Sequence, residues 1–505
     1  MEMTASDTRA SGVRAIRARH VLVVAASLAL AALAFERVWL IQGLPLWWDE
    51  TWTGAIASTP DWRAFWREAY LDVNAPLYYV VMRLWTSVFG VSDIALRAPS
   101  LIAVAAAAAV PLIIRIDGLT REARLTWAVL VFAWWGGFAT LLDARCYALV
   151  LALSALQCAL FIRLLARPTR ARAWAWAAVG ACAVLTHYYA AFIGLTQGLI
   201  YLGLHRGRAL RTWPAALAFT PAFAWLAHHG GRLAQYVSPS VDWHAAVSWD
   251  TALPLATATV GPEAAAFLAA VVLVLGLGWL TPRLLGAAAA DEASAPTRDL
   301  ALAAISGLAA LALALLSGVA TPSLTGRYLF AYAPAVLLGV VLCARASKRA
   351  HLVYLALIGL YLAVLPPPAQ IKAVLTARSA YGFQAASELL MAGRARDVVF
   401  VWDHSAAPVI ASSSLARVGG FFFARAGADI AVRPLRVDPR HDPNTQILAA
   451  ANGRKPGIIW VYNRRLPSAA RAFAPAIDRV DPRWSCVSYG DGVRGTIACL
   501  PRPGT

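Results

Sequence analysis

Long apolar runs, broken by short stretches that carry arginine, fill the first 365 positions of the chain. They lie at about 21–41, 98–114, 125–142, 147–165, 173–187, 190–204, 213–227, 264–282, 299–319, 328–344 and 351–365. A helix needs about 20 apolar residues to cross the hydrocarbon core of a bilayer. The pattern therefore predicts about eleven transmembrane helices, several of them short. The first run follows Arg9, Arg14, Arg17 and Arg19. Ala32-Leu33-Ala34 resembles a signal cleavage site, but the run is long enough to span, so an uncleaved signal anchor is expected.

Between the first two runs the period changes. Trp62, Phe65, Trp66, Ala69 and Tyr70 recur at helical spacing, with Arg63, Arg67 and Glu68 on the other face. This predicts an amphipathic interfacial helix with Thr59 as N-cap and Pro60 at its first position. Residues 77–90 are apolar, contain Arg83, and are expected to form a second interfacial or re-entrant helix. Pro366-Pro367-Pro368 closes the membrane region, and the tail turns polar. Val398–Trp402 and Ile458–Tyr462 read as buried strands, with helices at about 379–393 and 443–452. The expected division is a membrane domain over 1–365 and a small α/β domain over 366–505.

Composition supports the membrane reading: 60% of residues are hydrophobic and 14% charged, with mean hydropathy +0.59. The net charge of +18 suggests nucleic acid, but the arginines form short clusters between apolar runs rather than one basic face. They follow the positive-inside pattern instead. One set of loops (9–19, 115–124, 163–172, 206–211, 283–298 and 345–349) holds nineteen Arg and Lys, against seven in the opposite loops before residue 366. The rich side is expected to be cytoplasmic, which puts the N-terminus inside and the tail outside. Cys146, Cys158, Cys182 and Cys343 read as packing residues, whereas Cys486 and Cys499 could pair only in an oxidising compartment.

Nearly every unusual polar residue falls in an outward loop. Trp47-Trp48-Asp49-Glu50 sets two acids directly after the first span. Asp72-Val73-Asn74-Ala75-Pro76-Leu77-Tyr78-Tyr79 puts a carboxylate and an amide at a helix start, where Asn74 could act as a cap. Arg97-Ala98-Pro99-Ser100 opens the second span, and Arg97 there would ordinarily snorkel. Asp143-Ala144-Arg145-Cys146-Tyr147 offers a carboxylate for catalysis or metal and an arginine for phosphate. Thr186-His187-Tyr188-Tyr189 offers a metal-ligating histidine at a tight turn. Arg327, beside Tyr328, is the only basic residue of its outer turn and suits a phosphate. Acids and arginines on one face of an apolar protein suit a substrate with a phosphate and a long apolar chain.

The W-W-D-E of the first outer loop, the D-x-N-x-P-L-Y-Y segment, the following R-x-P-S and the later G-R-Y-L resemble the GT-C glycosyltransferases. More narrowly, they resemble the family 39-like branch of protein O-mannosyltransferases, lipid A aminoarabinose transferases and RgtA/B/C/D-like enzymes. The resemblance covers residues 38–200 well and 320–340 moderately, and the tail carries no motif of the family. It implies a polyprenyl-phosphate sugar donor, a lipid, glycan or protein acceptor, transfer on the extracytoplasmic face of a bacterial inner membrane, and usually inversion at the anomeric carbon. It makes Asp49 the candidate general base, with Glu50 its neighbour and Asp143 the acid of the second outer loop. Asp72 takes the acidic position before N-x-P. Arg327 would face the donor phosphate, with Arg145 and Tyr328 beside it. Asn74, Arg97 and Tyr188 are candidate positioning residues. A divalent metal (Mg, Mn or Zn) is an open expectation, with Asp72, Asp143 and His187 as its ligands. Where the family often has two prolines, this chain has Ala75-Pro76, which changes the helix entry.

Two other classes remain open at this stage. A lipid or glycan flippase would want mid-membrane charges and broken helices in matching halves, whereas the spans here are rich in Ala and Leu. A polysaccharide ligase or polymerase would share the donor but rely on arginines in a large late loop, whereas the acids here come early.

Overall fold

The computed structural model describes residues 5–238, 247–259, 261, 276, 295–321, 323–345, 347, 349–379, 381–403, 409–438, 441–451, 455–463 and 476–502. The run expected at 264–282 lies outside these, apart from Gly276. The chain forms two compact units. They are not the two consecutive segments read from the sequence. One unit comprises residues 1–40, 100–225 and 246–368; the other comprises 41–99, 226–245 and 369–505.

The first unit is helical. Its elements include α1 (Ala5–Ile41), α5 (Asp93–Ile113), α6 (Arg121–Phe132), α7 (Tyr147–Ala166), α8 (Arg170–Thr186), α9 (Ala191–His205), α11 (Trp249–Ala258), α12 (Ala295–Ala320), α13 (Ala333–Ala344) and α14 (Ala350–Ala363). Helices α1 and α5 continue into the other unit. Among the described residues four helices are long and apolar enough to cross a membrane, or up to five with a bent pair. The sequence runs differ from the helices where the backbone breaks. The run at 125–142 stops as an α-helix at Phe132 and continues in 3-10 turns, and the run at 328–344 opens as a 3-10 turn over Gly326–Ala331. The run at 213–227 is a 3-10 stretch to Phe219, followed by α10 (Thr220–Tyr236). Ala26 and Ala29 of α1 pack on Leu125 and Val129 of α6 and Ile358 of α14.

The second unit joins residues 41–99 to the tail. It holds α2 (Trp48–Ala57), α3 (Trp62–Leu71), α4 (Pro76–Phe89), α15 (Pro368–Ser379) but for its first residue, α16 (Phe383–Ala392), α17 (Ser412–Arg425), α18 (Pro443–Ala451) and a five-stranded sheet. The sheet order is β2-β1-β3-β5-β4. Strand β1 (Asp397–Asp403) runs parallel to β2 (Ala431–Leu435) and β3 (Gly457–Asn463). Strand β5 (Arg494–Pro501) is antiparallel to β3 and to β4 (Trp484–Gly490). Both predicted strands lie within β1 and β3. They read clearly because they are central and buried on both faces. Val399, Val401, Ile458 and Trp460 pack with Ile447 of α18 on one face, while Phe400 meets Phe383 of α16 on the other. Helix α17 lies against α2 so closely that a Cβ on Gly54 would sit 2.6 Å from the Phe421 ring.

The two helices expected between the first two apolar runs are present, with two corrections. Asp61 rather than Thr59 caps α3, accepting from the Ala64 N–H at 2.7 Å, while the Thr59 hydroxyl turns back to the Ala55 carbonyl. Glu68 leaves the polar face assigned to it and is buried, accepting from Ser414 Oγ at 2.6 Å. Arg83 of α4 stacks on Trp62, 4.6 Å from its ring, and donates to the Thr59 and Pro60 carbonyls.

Candidate functional site

Helix α2 begins one residue before Asp49, so both acids fall in its first turn, where the helix dipole favours negative charge. Adjacent helical positions point about 100° apart, and the two carboxylates have different surroundings. Glu50 is fully buried. It accepts from Arg97 Nε at 2.7 Å, from Arg97 Nη2, and from the Trp47 N–H at 3.1 Å. Arg97 also donates to the carbonyls of Leu44 at 2.6 Å and Pro45 at 2.9 Å. It does not snorkel; it is 3% exposed and fixes the chain entering α2. Asp49 is half-buried. Trp52 and Ile56 follow it at i+3 and i+7, on the same side of the helix. Those two residues line a small cavity with Glu68, Asp72, Tyr236, Ser414 and Arg417.

The D-x-N segment is a turn held by its own side chains. Asp72 Oδ1 accepts from Asn74 N–H at 2.8 Å, Asn74 Nδ2 at 2.7 Å and Tyr79 O–H at 2.8 Å. Asn74 does not cap α4; that position is Ala75, followed by Pro76 at the first helical position. The carbonyls of residues 70–72 are all taken. His229 Nε2 lies 2.9 Å from Tyr70 O and 3.0 Å from Asp72 O, so this nitrogen carries the ring proton. Arg232 donates twice to Leu71 O, at 3.2 and 3.0 Å, and once to Val409 O at 2.6 Å. Sequence reading did not single out His229, Arg232 or Tyr236. Their only signal is i, i+3, i+7 spacing along α10.

In the first unit a second group forms from three separate turns. Arg145 comes from the turn before α7, His187 from the break between α8 and α9, and Arg327 with Tyr328 from the 3-10 turn before α13. The Arg327 guanidinium lies 5.6 Å from the Tyr147 ring. The His187 ring is 4.6 Å from that of Tyr328 and 5.9 Å from that of Tyr147. Burial first, then Arg327 and Arg145, pushes His187 from 6.5 down to about 3, so its imidazole is neutral. Tyr188 turns elsewhere, its hydroxyl accepting from Trp225 Nε1 at 2.9 Å. Asp143 is buried, and its carbonyl accepts from Ser100 Oγ at 2.6 Å. Two permanent cations beside neutral aromatic donors suit an anion with several oxygens.

The metal expectation does not fit this chemistry. Among the described residues no three His, Cys, Asp or Glu side chains come together as a ligand set. His187 faces two guanidinium charges, which repel a cation, and Asp72 Oδ1 already accepts three hydrogen bonds.

No family model matches the chain, and no curated protein matches it. Solved structures do. The structure of ArnT from Cupriavidus metallidurans in the apo state aligns with a TM-score of 0.56 at 12% identity, covering 94% of this chain and 97% of that one. The chain has the GT-C fold. ArnT from the same organism bound to undecaprenyl phosphate aligns over the same shares, with a TM-score of 0.50 at 13% identity. At these identities the likeness concerns the GT-C fold alone, and it extends over both units of the chain.

Proposed function

We propose that this GT-C chain is a membrane glycosyltransferase. It moves a sugar from a polyprenyl-phosphate donor to a hydroxyl of a lipid, glycan or protein acceptor on the extracytoplasmic face. The observation that carries the reading is the pair Arg145 and Arg327, set among Tyr147, His187 and Tyr328. Such a group suits the phosphate of a polyprenyl-linked sugar, a diester in the donor and a monoester in the departing lipid, and a solved protein of the same fold, ArnT, holds undecaprenyl phosphate.

The acceptor hydroxyl must lose its proton as it attacks the anomeric carbon, and a carboxylate within hydrogen-bond reach accepts it. Asp49 is the half-buried acid of the first loop and takes that role. Glu50 is committed to Arg97 and positions the turn that bears Asp49. As the glycosidic C–O bond breaks, negative charge grows on the departing polyprenyl phosphate, and Arg145 and Arg327 offset it. Asp143, beside Arg145, is the second candidate acid. Direct displacement by the acceptor inverts the anomeric carbon. The orientation has the arginine-rich loops in the cytoplasm of a bacterial cell with the tail outside. The Cys486–Cys499 disulfide supports that placement, since such bonds persist in oxidising compartments.

The test uses purified full-length protein with candidate polyprenyl-phosphate sugars and acceptors. Asp49→Asn should cut transfer by ~10²-fold or more, the usual contribution of a positioned base, while undecaprenyl phosphate binding stays as in wild type. Arg327→Gln and Arg145→Gln should each weaken that binding. Full transfer by Asp49→Asn, or unchanged lipid-phosphate binding by both arginine variants, would overturn the assignment.

A further inference from the structure

One charge in the first unit takes no part in the proposed chemistry. Arg37 lies in the first apolar helix, near its outer end, and is 1% exposed. A charged side chain there is expensive and needs several partners. Besides the carboxylate of the neighbouring Glu36, Arg37 has four, all from a single stretch of chain. Nη2 donates to Phe132 O at 2.7 Å, and Nη1 donates to Phe138 O at 3.2 Å. Its guanidinium stacks on both phenylalanine rings, 5.1 Å from Phe132 and 3.9 Å from Phe138.

These contacts fall where the chain leaves the α-helix. Helix α6 ends at Phe132, and residues up to Cys146 pass through short 3-10 turns before α7 starts. Irregular backbone at membrane depth survives only when its polar groups find partners inside the protein. Arg37 supplies two of them. The stretch is held elsewhere by Ser100 Oγ on Asp143 O, and at Gly137, where a Cβ would sit 2.8 Å from the Phe330 ring. Phe138 O is held by Arg37 upstream of the site, and Asp143 O by Ser100 within it. Asp143 and Arg145 follow Phe138 by five and seven residues.

We propose that Arg37 is a positioning residue. It fixes the unwound stretch 133–146 through the Phe132 and Phe138 carbonyls, and thereby sets where Arg145 meets an anionic phosphate. This rests on the phosphate-site reading of Arg145 and Arg327. The planar guanidinium fork is the essential feature, because it bridges two carbonyls and stacks at once. A lysine keeps the charge but can do neither well.

The experiment measures undecaprenyl phosphate binding to full-length protein in detergent, alongside its melting temperature. Arg37→Lys should raise Kd ~10-fold. In an Arg145→Gln background the same change should matter less than ~2-fold, because residues acting through one contact are not additive. Phe138→Leu keeps both carbonyls but removes the closer ring; it should raise Kd ~3-fold, and serves if Arg37→Lys does not fold. Additive losses, or a lowered melting temperature with unchanged Kd, would overturn the inference and leave Arg37 a stabilising residue only. If Arg145→Gln and Arg327→Gln themselves leave Kd unchanged, the phosphate reading fails rather than the clamp.

Discussion

Glu50 and Arg97 show how a residue's chemistry depends on a partner 47 positions away. In the sequence Asp49 and Glu50 are two adjacent acids with equal claims, and nothing local says which is committed. Helical geometry turns them apart, and Arg97 takes one. Removing one member of a buried ion pair leaves the other charge without compensation. Glu50→Gln or Arg97→Met alone should therefore destabilise the second unit by ~3–5 kcal/mol, whereas an apolar replacement of both should recover most of the loss. Denaturant unfolding of the three variants checks this; equal losses for the single and double changes would contradict it. His187 gives a second expectation at this scale. Its folded-state pKa is lowered from 6.5 to about 3 by burial and by Arg327 and Arg145. The unfolded chain therefore binds a proton in this window that the native state does not. Stability from this group is fully present above pH 6.5 and is lost as pH falls toward 3. His187→Gln should flatten the decline of melting temperature across that range, measured without ligand, and an unchanged slope would count against the burial argument.

At the scale of elements, the sequence shows the helices better than it shows their faces and breaks. The aromatic spacing of α3 is plain, and Phe65 and Ala69 are indeed buried while Trp62 and Trp66 stay exposed. Glu68 was unreadable because its partners, Ser414 and Arg417, come from α17. The cap moved from Thr59 to Asp61 because two good capping residues stand two positions apart, and local propensity cannot choose between them. Hydropathy reads side chains, not backbone, so the run at 125–142 looks continuous although the α-helix ends at Phe132. The outer strands of the sheet escaped for the opposite reason. Strand β2 carries Arg433 and Pro434 and lies at an edge, where a missing N–H is tolerated. The residues with chemical potential cluster at these breaks. Arg145, His187 and Arg327 each follow or interrupt a helix, which is why a motif scan finds them singly and the fold brings them together.

At the scale of the whole molecule, the compact units do not follow the linear division at residue 365, because residues 41–99 pack with the tail. Gly54 meets Phe421, Glu68 meets Ser414, and Asp93 pairs with Arg425. No pattern within residues 41–99 announces partners more than 300 positions away. The tail also holds the covalent bond that bears on which side of the membrane it occupies. Cys486 and Cys499 face each other across β4 and β5, with a sequence separation of 13. Strand β4 is an edge strand held in the sheet by β5 alone. Closing a loop of about this length is worth ~3 kcal/mol through the unfolded chain. Cys486→Ala with Cys499→Ala should cost the tail ~2–3 kcal/mol, read from the fluorescence of Trp484 in denaturant, with β5 still paired to β3. Protein taken from cells without reductant should leave both thiols closed to maleimide until it is unfolded and reduced. Cys146, Cys158 and Cys343 are buried and serve as internal controls under native conditions. A tail that emerges with both cysteines open to the reagent was folded in a reducing compartment. That result would place it in the cytoplasm and reverse the orientation on which extracytoplasmic transfer depends.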